Sequence, residues 1–158
     1  MAQDISIRYP GRVNKLILIS AAGGAYARKQ QDGRIASLDM CDSGEAIEAV
    51  RAFTDRLNSS YKHDQSLFIS NARMLASCND VAFYAQLKAI VEYVKVMQRL
   101  ENIRCPTMVI SAEDDPFISA PAYIEMVREI PCAQLKLLAS GGHMLPLSRP
   151  DEINMSIY

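Results

Sequence analysis

Thr107-Met108-Val109-Ile110-Ser111-Ala112, followed at once by Glu113-Asp114-Asp115-Pro116, is the stretch that decides how this chain folds. A short apolar run without polar alternation reads as a strand buried on both faces, as in a parallel sheet covered by helices. The acidic turn that follows places carboxylates beyond the strand's carboxyl end, where open parallel sheets bind their ligands. Downstream, a helix is predicted from about Ala120 to Ile130, stopped by Pro131. A strand over Gln134–Ala139 and the tight loop Gly141-Gly142-His143 follow.

Working outward, Lys15–Ser20 reads K-L-I-L-I-S, another strand predicted to be buried on both faces. It runs into Ala21-Ala22-Gly23-Gly24, a loop that lets other backbone or a ligand approach closely. Before it, Ala2, Ile5 and Tyr9 recur near helical spacing, and Pro10 disfavours helix at the residue ahead of it. Residues 25–102 are different in character: polar at first, then helical. Ile47, Val50, Phe53 and Leu57 mark one amphipathic helix, with Asp42 or Ser43 as its N-cap. Leu67, Phe68, Ala72 and Leu75 mark a second, and Leu87, Ile90, Val91 and Val94 a third opened by Asn79 or Asp80. No strand pattern and no internal repeat occur there. A last helix begins near Pro150, a good first-turn proline. Strands separated by helices point to an α/β layer fold, with 1–24 and 103–158 forming the sheet layer and 25–102 an all-helical insert.

The composition narrows the partners. The 158 residues are 49% apolar and 22% charged, an ordinary globular mixture with room for a core, and the net charge of −1 points to neither nucleic acid nor an acidic membrane. No basic segment followed by an apolar core opens the chain, and no apolar run approaches the roughly 18 residues of a membrane span. Cys41, Cys78, Cys105 and Cys132 are far apart, with no C-x-x-C pair and no zinc spacing. A reduced cytoplasmic setting is the simplest reading, and no metal or cofactor is implied.

Asp115 and His143 are the candidates to carry chemistry. A carboxylate and an imidazole beyond adjacent strand ends can meet, and the interval between them has room for one helix and one strand. The carboxylate would accept the Nδ1 proton, fix the tautomer, and stabilise the imidazolium formed when the other nitrogen takes a proton. Singly, each residue has a bland reading: acidic clusters after strands are ordinarily solvated turns, and a histidine in a glycine-rich loop is ordinarily structural. Their joint placement raises the pair. His63, in the polar run Ser59–Asp64, reads as surface. Gly23-Gly24 has none of the spacing of a phosphate loop.

At these residues the chain resembles the α/β-hydrolases. Ile103 to Phe117 is similar to the strand-and-acid segment of that family, with Ala112 where the family usually has glycine. Gly142-His143-Met144-Leu145-Pro146-Leu147 through Glu152 resembles its histidine loop and last helix, and Arg8 to Val13 the region after its nucleophile turn. The resemblance implies that Asp115 is the triad acid and His143 the base, that 1–24 and 103–158 are the C-terminal strands and helices of the parallel sheet, and that 25–102 is the cap. Tyr61 to Asp80 is similar to the cap of meta-cleavage-product hydrolases, which split a carbon–carbon bond in a dienoic diketo acid; esterases and enol-lactonases resemble the chain as well. Ile118 and Met144, each near a triad residue, would line an apolar pocket for a small-molecule substrate.

No Gly-x-Ser-x-Gly occurs in the chain. The expectation is therefore a fragment of a serine-type hydrolase of small ester, lactone or C–C substrates, inactive alone because acid and base lack a nucleophile. The alternative is a non-catalytic ligand-binding or signalling protein of the same fold. The aliphatic run Leu16–Ile19 would then be an open sheet edge through which the chain self-associates.

Overall fold

The computed structural model describes residues 1–21, 23, 31–61, 64–77, 79–94 and 99–157. Three parallel strands form the sheet in the order β1 (Leu16–Ile19), β2 (Thr107–Ala112) and β3 (Ala133–Leu138). Leu18 stands opposite Val109, and Val109 opposite Leu135; at the carboxyl end Ala112 pairs with Leu138. This register brings the loops after β2 and β3 out side by side. The third strand starts and ends one residue earlier than its sequence pattern predicts.

The two faces of β2 feed separate clusters, as the two-residue period of a strand requires. Val109 joins Leu16, Leu18, Leu100, Ile103, Ile118, Tyr123, Met126 and Ile130 in one; Ile110 and Ala112 join Leu138, Leu145 and Ile153 in the other. α6 (Ala120–Glu129) covers the first face because Ala122, Tyr123 and Met126 fall on one side of it. α1 (Ala2–Arg8) joins it through the buried Gln3, whose Nε2 donates to Met126 Sδ at 3.8 Å. Gly23 lies tightly here: a Cβ on it would come within 3.0 Å of both Gln3 Nε2 and Met126 Sδ. α7 (Leu145–Ser148) and α8 (Pro150–Ile157) cover the second face with Leu145 and Ile153.

One expectation fails at β1. Leu16 and Leu18 are buried, but Ile17 is 39% exposed and Ile19 only half-buried. Leu145 and Ile153 sit over β2 and β3, so the cover on this face thins toward the edge strand. β1 is thus buried on one face rather than two.

Between β1 and β2 the α-helices among the described residues are α2 (Gln31–Asp42), α3 (Ala46–Asn58), α4 (Gln65–Ala76) and α5 (Asp80–Val94), and no strand occurs among the described residues there. α2 was not legible, because its composition is mostly polar and Gly33 interrupts it. Its existence also corrects the cap of the next helix. Asp42 ends α2 instead of opening α3; Gly44 turns the chain at φ +86°, and Glu45 holds the N-cap position. Asn79 does open α5, its Oδ1 accepting the Ala82 amide at 2.7 Å. α3 packs on α2, α4 and α5, and between α3 and α4 the buried Asn71 donates to Asn58 Oδ1 at 3.3 Å. Among the described residues no helix is long and apolar enough to cross a membrane.

Candidate active site

The turn after β2 tightens because the Asp115 side chain satisfies its own loop. Asp115 Oδ1 accepts the backbone amides of Phe117 at 2.8 Å and Ile118 at 3.1 Å. An aspartate bonding amides two and three residues ahead is a common way of fixing a turn that precedes a helix. It leaves Oδ2 pointing away from the loop, where His143 Nδ1 meets it at 2.9 Å. A carboxylate only accepts, so Nδ1 carries a proton, and in the neutral ring Nε2 is the nitrogen that can accept one. The Asp115 side chain is fully buried, whereas the imidazole keeps 26% of its surface exposed. Burial pushes the Asp115 carboxyl up, but the hydrogen bonds from His143 and Tyr123, the charge of His143 and the Phe117 amide together outweigh it and hold the group below its ordinary range.

Asp114, next to it, has a different task. Its Oδ1 accepts the amides of Gly141 at 2.9 Å and Gly142 at 2.8 Å, so it grips the histidine loop by its backbone. The helical insert grips the histidine loop and the acid turn as well. Tyr61 donates to the Gly141 carbonyl at 3.1 Å and accepts the Met144 amide at 2.6 Å. Ser60 Oγ donates to the Asp114 carbonyl at 2.7 Å, and Arg56 Nε to the Pro116 carbonyl at 2.9 Å. Burial chiefly, with the charges of Asp114 and Asp115, raises the Tyr61 phenol above its usual value against the lowering effect of the Met144 amide; it stays neutral and can donate and accept at once. Gly142 has φ +64°, and a Cβ there would lie 2.7 Å from Tyr61 Oη and 2.8 Å from Ser60 Cβ. A residue without a side chain is therefore required, on both conformational and steric grounds.

Of the residues singled out in the sequence, the structure brings Asp115 and His143 together. It does not bring Ile118 to them as a pocket wall. Ile118 is 4% exposed and packs in the core with Leu18 and Tyr123, contributing its backbone amide instead. The adjacent Phe117 faces the imidazole, ring to ring at 4.9 Å and edge-on. Phe117 in turn stacks on Phe53 of α3 at 4.9 Å, with the Arg56 guanidinium 5.1 Å from its centre. Met144 is half-buried directly after His143, fastened through its amide to Tyr61. His63 lies outside the described residues. Tyr61, Tyr123, Phe53 and the grip of Asp114 were not foreseen. The only available hint was a tyrosine set in an otherwise polar run, Ser59-Ser60-Tyr61.

A parallel sheet with an acid after one strand, a histidine after the next, and helices inserted ahead of both has clear structural relatives. An esterase from Thermogutta terrifontis superposes with a TM-score of 0.80 at 19% identity, over 99% of this chain and 58% of its own. The chain has the α/β-hydrolase fold. An enol-lactonase from Burkholderia xenovorans LB400 superposes with a TM-score of 0.79 at 14% identity, over 99% of this chain and 59% of its own. Among curated sequences, a poly(3-hydroxyalkanoate) depolymerase from Ectopseudomonas oleovorans is 26% identical over 157 residues, 97% of this chain and 54% of the relative. The chain thus spans little more than half the length of the proteins it matches. No family model matches it.

Within this fold the arrangement defines what the pair can do. Nε2 is free of the carboxylate and borne on a ring held by Asp115 on one side and Phe117 on another. Such an imidazole can accept a proton from a hydroxyl brought to it and return the proton to a leaving group.

Proposed function

We propose that this chain is the acid-and-base portion of a serine-type hydrolase acting on small ester, lactone or C–C (diketo acid) substrates. The 2.9 Å contact between His143 Nδ1 and the buried, ionised Asp115 carries the reading. Asp115 orients the ring and stabilises the imidazolium. His143 acts as general base toward the nucleophile and then as general acid toward the leaving group. The names of the similar proteins, an esterase, an enol-lactonase and a depolymerase, support acyl-transfer chemistry. In this reading α2–α5 act as the lid over the imidazole, with Phe53 and Phe117 as its apolar wall and Met144 beside the ring. The nucleophile is a serine outside this chain, and the same proposal places the protein in the cytoplasm.

The test is fluorophosphonate labelling of the protein translated together with the sequence upstream of Met1 in its gene. We expect one labelled serine, in a Gly-x-Ser-x-Gly turn, and loss of labelling in His143→Ala. An upstream frame without such a serine, or labelling indifferent to His143→Ala, would overturn the reading in favour of a non-catalytic binding protein. The 158-residue chain alone is expected to leave p-nitrophenyl esters at the background rate.

A further inference from the structure

Asp115 is held by more donors than an orienting acid requires. Oδ1 has the Phe117 and Ile118 amides. Oδ2 has His143 Nδ1 at 2.9 Å and also the Tyr123 hydroxyl, which donates to it at 2.6 Å. A carboxylate offers about four lone-pair sites, so this set of four is complete. Tyr123 reaches Oδ2 from the core. It stands in α6, is 0% exposed, and belongs to the core cluster with Leu18, Ile118 and Met126. A phenylalanine would occupy the same place in that cluster without bringing a hydroxyl into it. Burying a hydroxyl is unfavourable unless it is hydrogen-bonded, and here the partner is an ionised carboxylate, the stronger kind of acceptor.

The two amides on Oδ1 fix one corner of the carboxylate and leave its plane free to tip. The tyrosine fixes the second corner. It also draws on the charge of the same oxygen that faces the imidazole.

We propose that Tyr123 is a positioning residue of the hydrolase site, setting the plane of the Asp115 carboxylate toward His143 and sharing the negative charge of Oδ2 with it. The proposal rests on reading Asp115 and His143 as the acid and base. Its consequence is a division of labour. The orientation of His143 becomes firmer than one carboxylate on two amides would make it, while the stabilisation available to an imidazolium is moderated because part of the charge is already engaged. The hydrogen bond from Tyr123 is one of the effects that hold the Asp115 carboxyl low against its burial.

The experiment is an NMR titration of the protein translated together with the sequence upstream of Met1, carrying 13C at the aspartate carboxyl and tyrosine Cζ positions. In the wild type the Tyr123 Cζ resonance should move with the same midpoint as the Asp115 carboxyl. In Tyr123→Phe the Asp115 midpoint should shift upward, and the low-field resonance of the His143 Nδ1 proton should change position. A Cζ resonance that stays flat while Asp115 titrates would overturn the proposal. So would a folded Tyr123→Phe whose Asp115 midpoint is unchanged. Should Phe at this position prevent folding, the wild-type co-titration decides by itself. These readouts follow hydrogen bonding and not turnover. Failure of the hydrolase reading would leave them intact, and their failure would leave fluorophosphonate labelling unaffected.

Discussion

Replacing Asp114 by alanine should loosen the histidine loop without touching the acid–histidine contact itself. Asp114 Oδ1 accepts two backbone amides, Gly141 at 2.9 Å and Gly142 at 2.8 Å, and both glycines are buried. Hydrogen bonds to a charged partner contribute about 1.5–3 kcal/mol each. The lower figure applies here, because one oxygen serves both donors and Asp114 itself is exposed. Two such bonds amount to roughly 3 kcal/mol, and water entering from the exposed side recovers part, leaving about 2 kcal/mol. For a chain of this length a loss of 1 kcal/mol lowers the melting temperature by roughly 2–4 °C. Asp114→Ala should therefore melt about 4–8 °C below wild type when followed by circular dichroism. Asp114→Asn keeps an uncharged oxygen in place and should recover about half of the loss. The reasoning is refuted if Asp114→Ala lies within about 0.5 kcal/mol of wild type, the ordinary range of a surface substitution. The loop would then be held by its other contacts: Tyr61 on the Gly141 carbonyl and Met144 amide, Ser148 Oγ on the Gly141 carbonyl at 2.6 Å, and His143 on Asp115.

Three further outcomes follow from the same loop. Gly142→Ala combines φ +64° with a Cβ 2.7 Å from Tyr61 Oη, so it should cost at least the roughly 1–2 kcal/mol of a left-handed non-glycine residue, read from urea unfolding. Because the Tyr61 ring carbon Cζ stands at 2.8 Å, adding Tyr61→Phe to Gly142→Ala should not rescue it. Tyr61→Phe alone loses the bonds to the Gly141 carbonyl and from the Met144 amide; at about 1 kcal/mol for each, it should lower stability by about 2 kcal/mol and raise amide hydrogen exchange at Met144. A Met144 amide that exchanges no faster would contradict the contact. Asp115 governs the acid limb. Its folded-state pKa lies below the ordinary carboxylate value of about 3.9, so its contribution is fully present above that value and is lost as pH falls through the depressed one. Asp115→Asn should be less stable than wild type at neutral pH, and the gap between their urea midpoints should close below about pH 4. A gap that stays constant from neutral to acid would show that the ionised carboxylate is not what the fold draws on.

Sequence by itself determined the elements that local periodicity encodes. Continuous apolar runs at Leu16–Ile19 and Thr107–Ala112 mark strands, and Pro131 and Pro150 mark where helices stop and start. Because β2 and β3 are joined by a single helix, the residues following them, Asp115 and His143, fall to neighbouring strand ends. That adjacency is readable before any coordinates. What lay beyond sequence were the contacts depending on which way a side chain turns at a given register. Phe117 and Ile118 are consecutive and both apolar, yet one faces the imidazole and the other the core, since the Asp115 turn rotates them to opposite sides. Asp114 and Asp115 are chemically identical; the turn sends one carboxylate to the glycine amides and the other to the ring. The polar helix Gln31–Asp42 has little apolar stripe to read, and the exposure of Ile17 depends on where Leu145 and Ile153 end their cover of the sheet. Tyr61 and Tyr123 enter the site from 83 and 8 residues away in sequence, to Met144 and Asp115 respectively. Tertiary packing alone carries the Tyr61 phenol that far, and a hydrogen bond formed by burial, as at Tyr123, leaves no periodic trace in the chain.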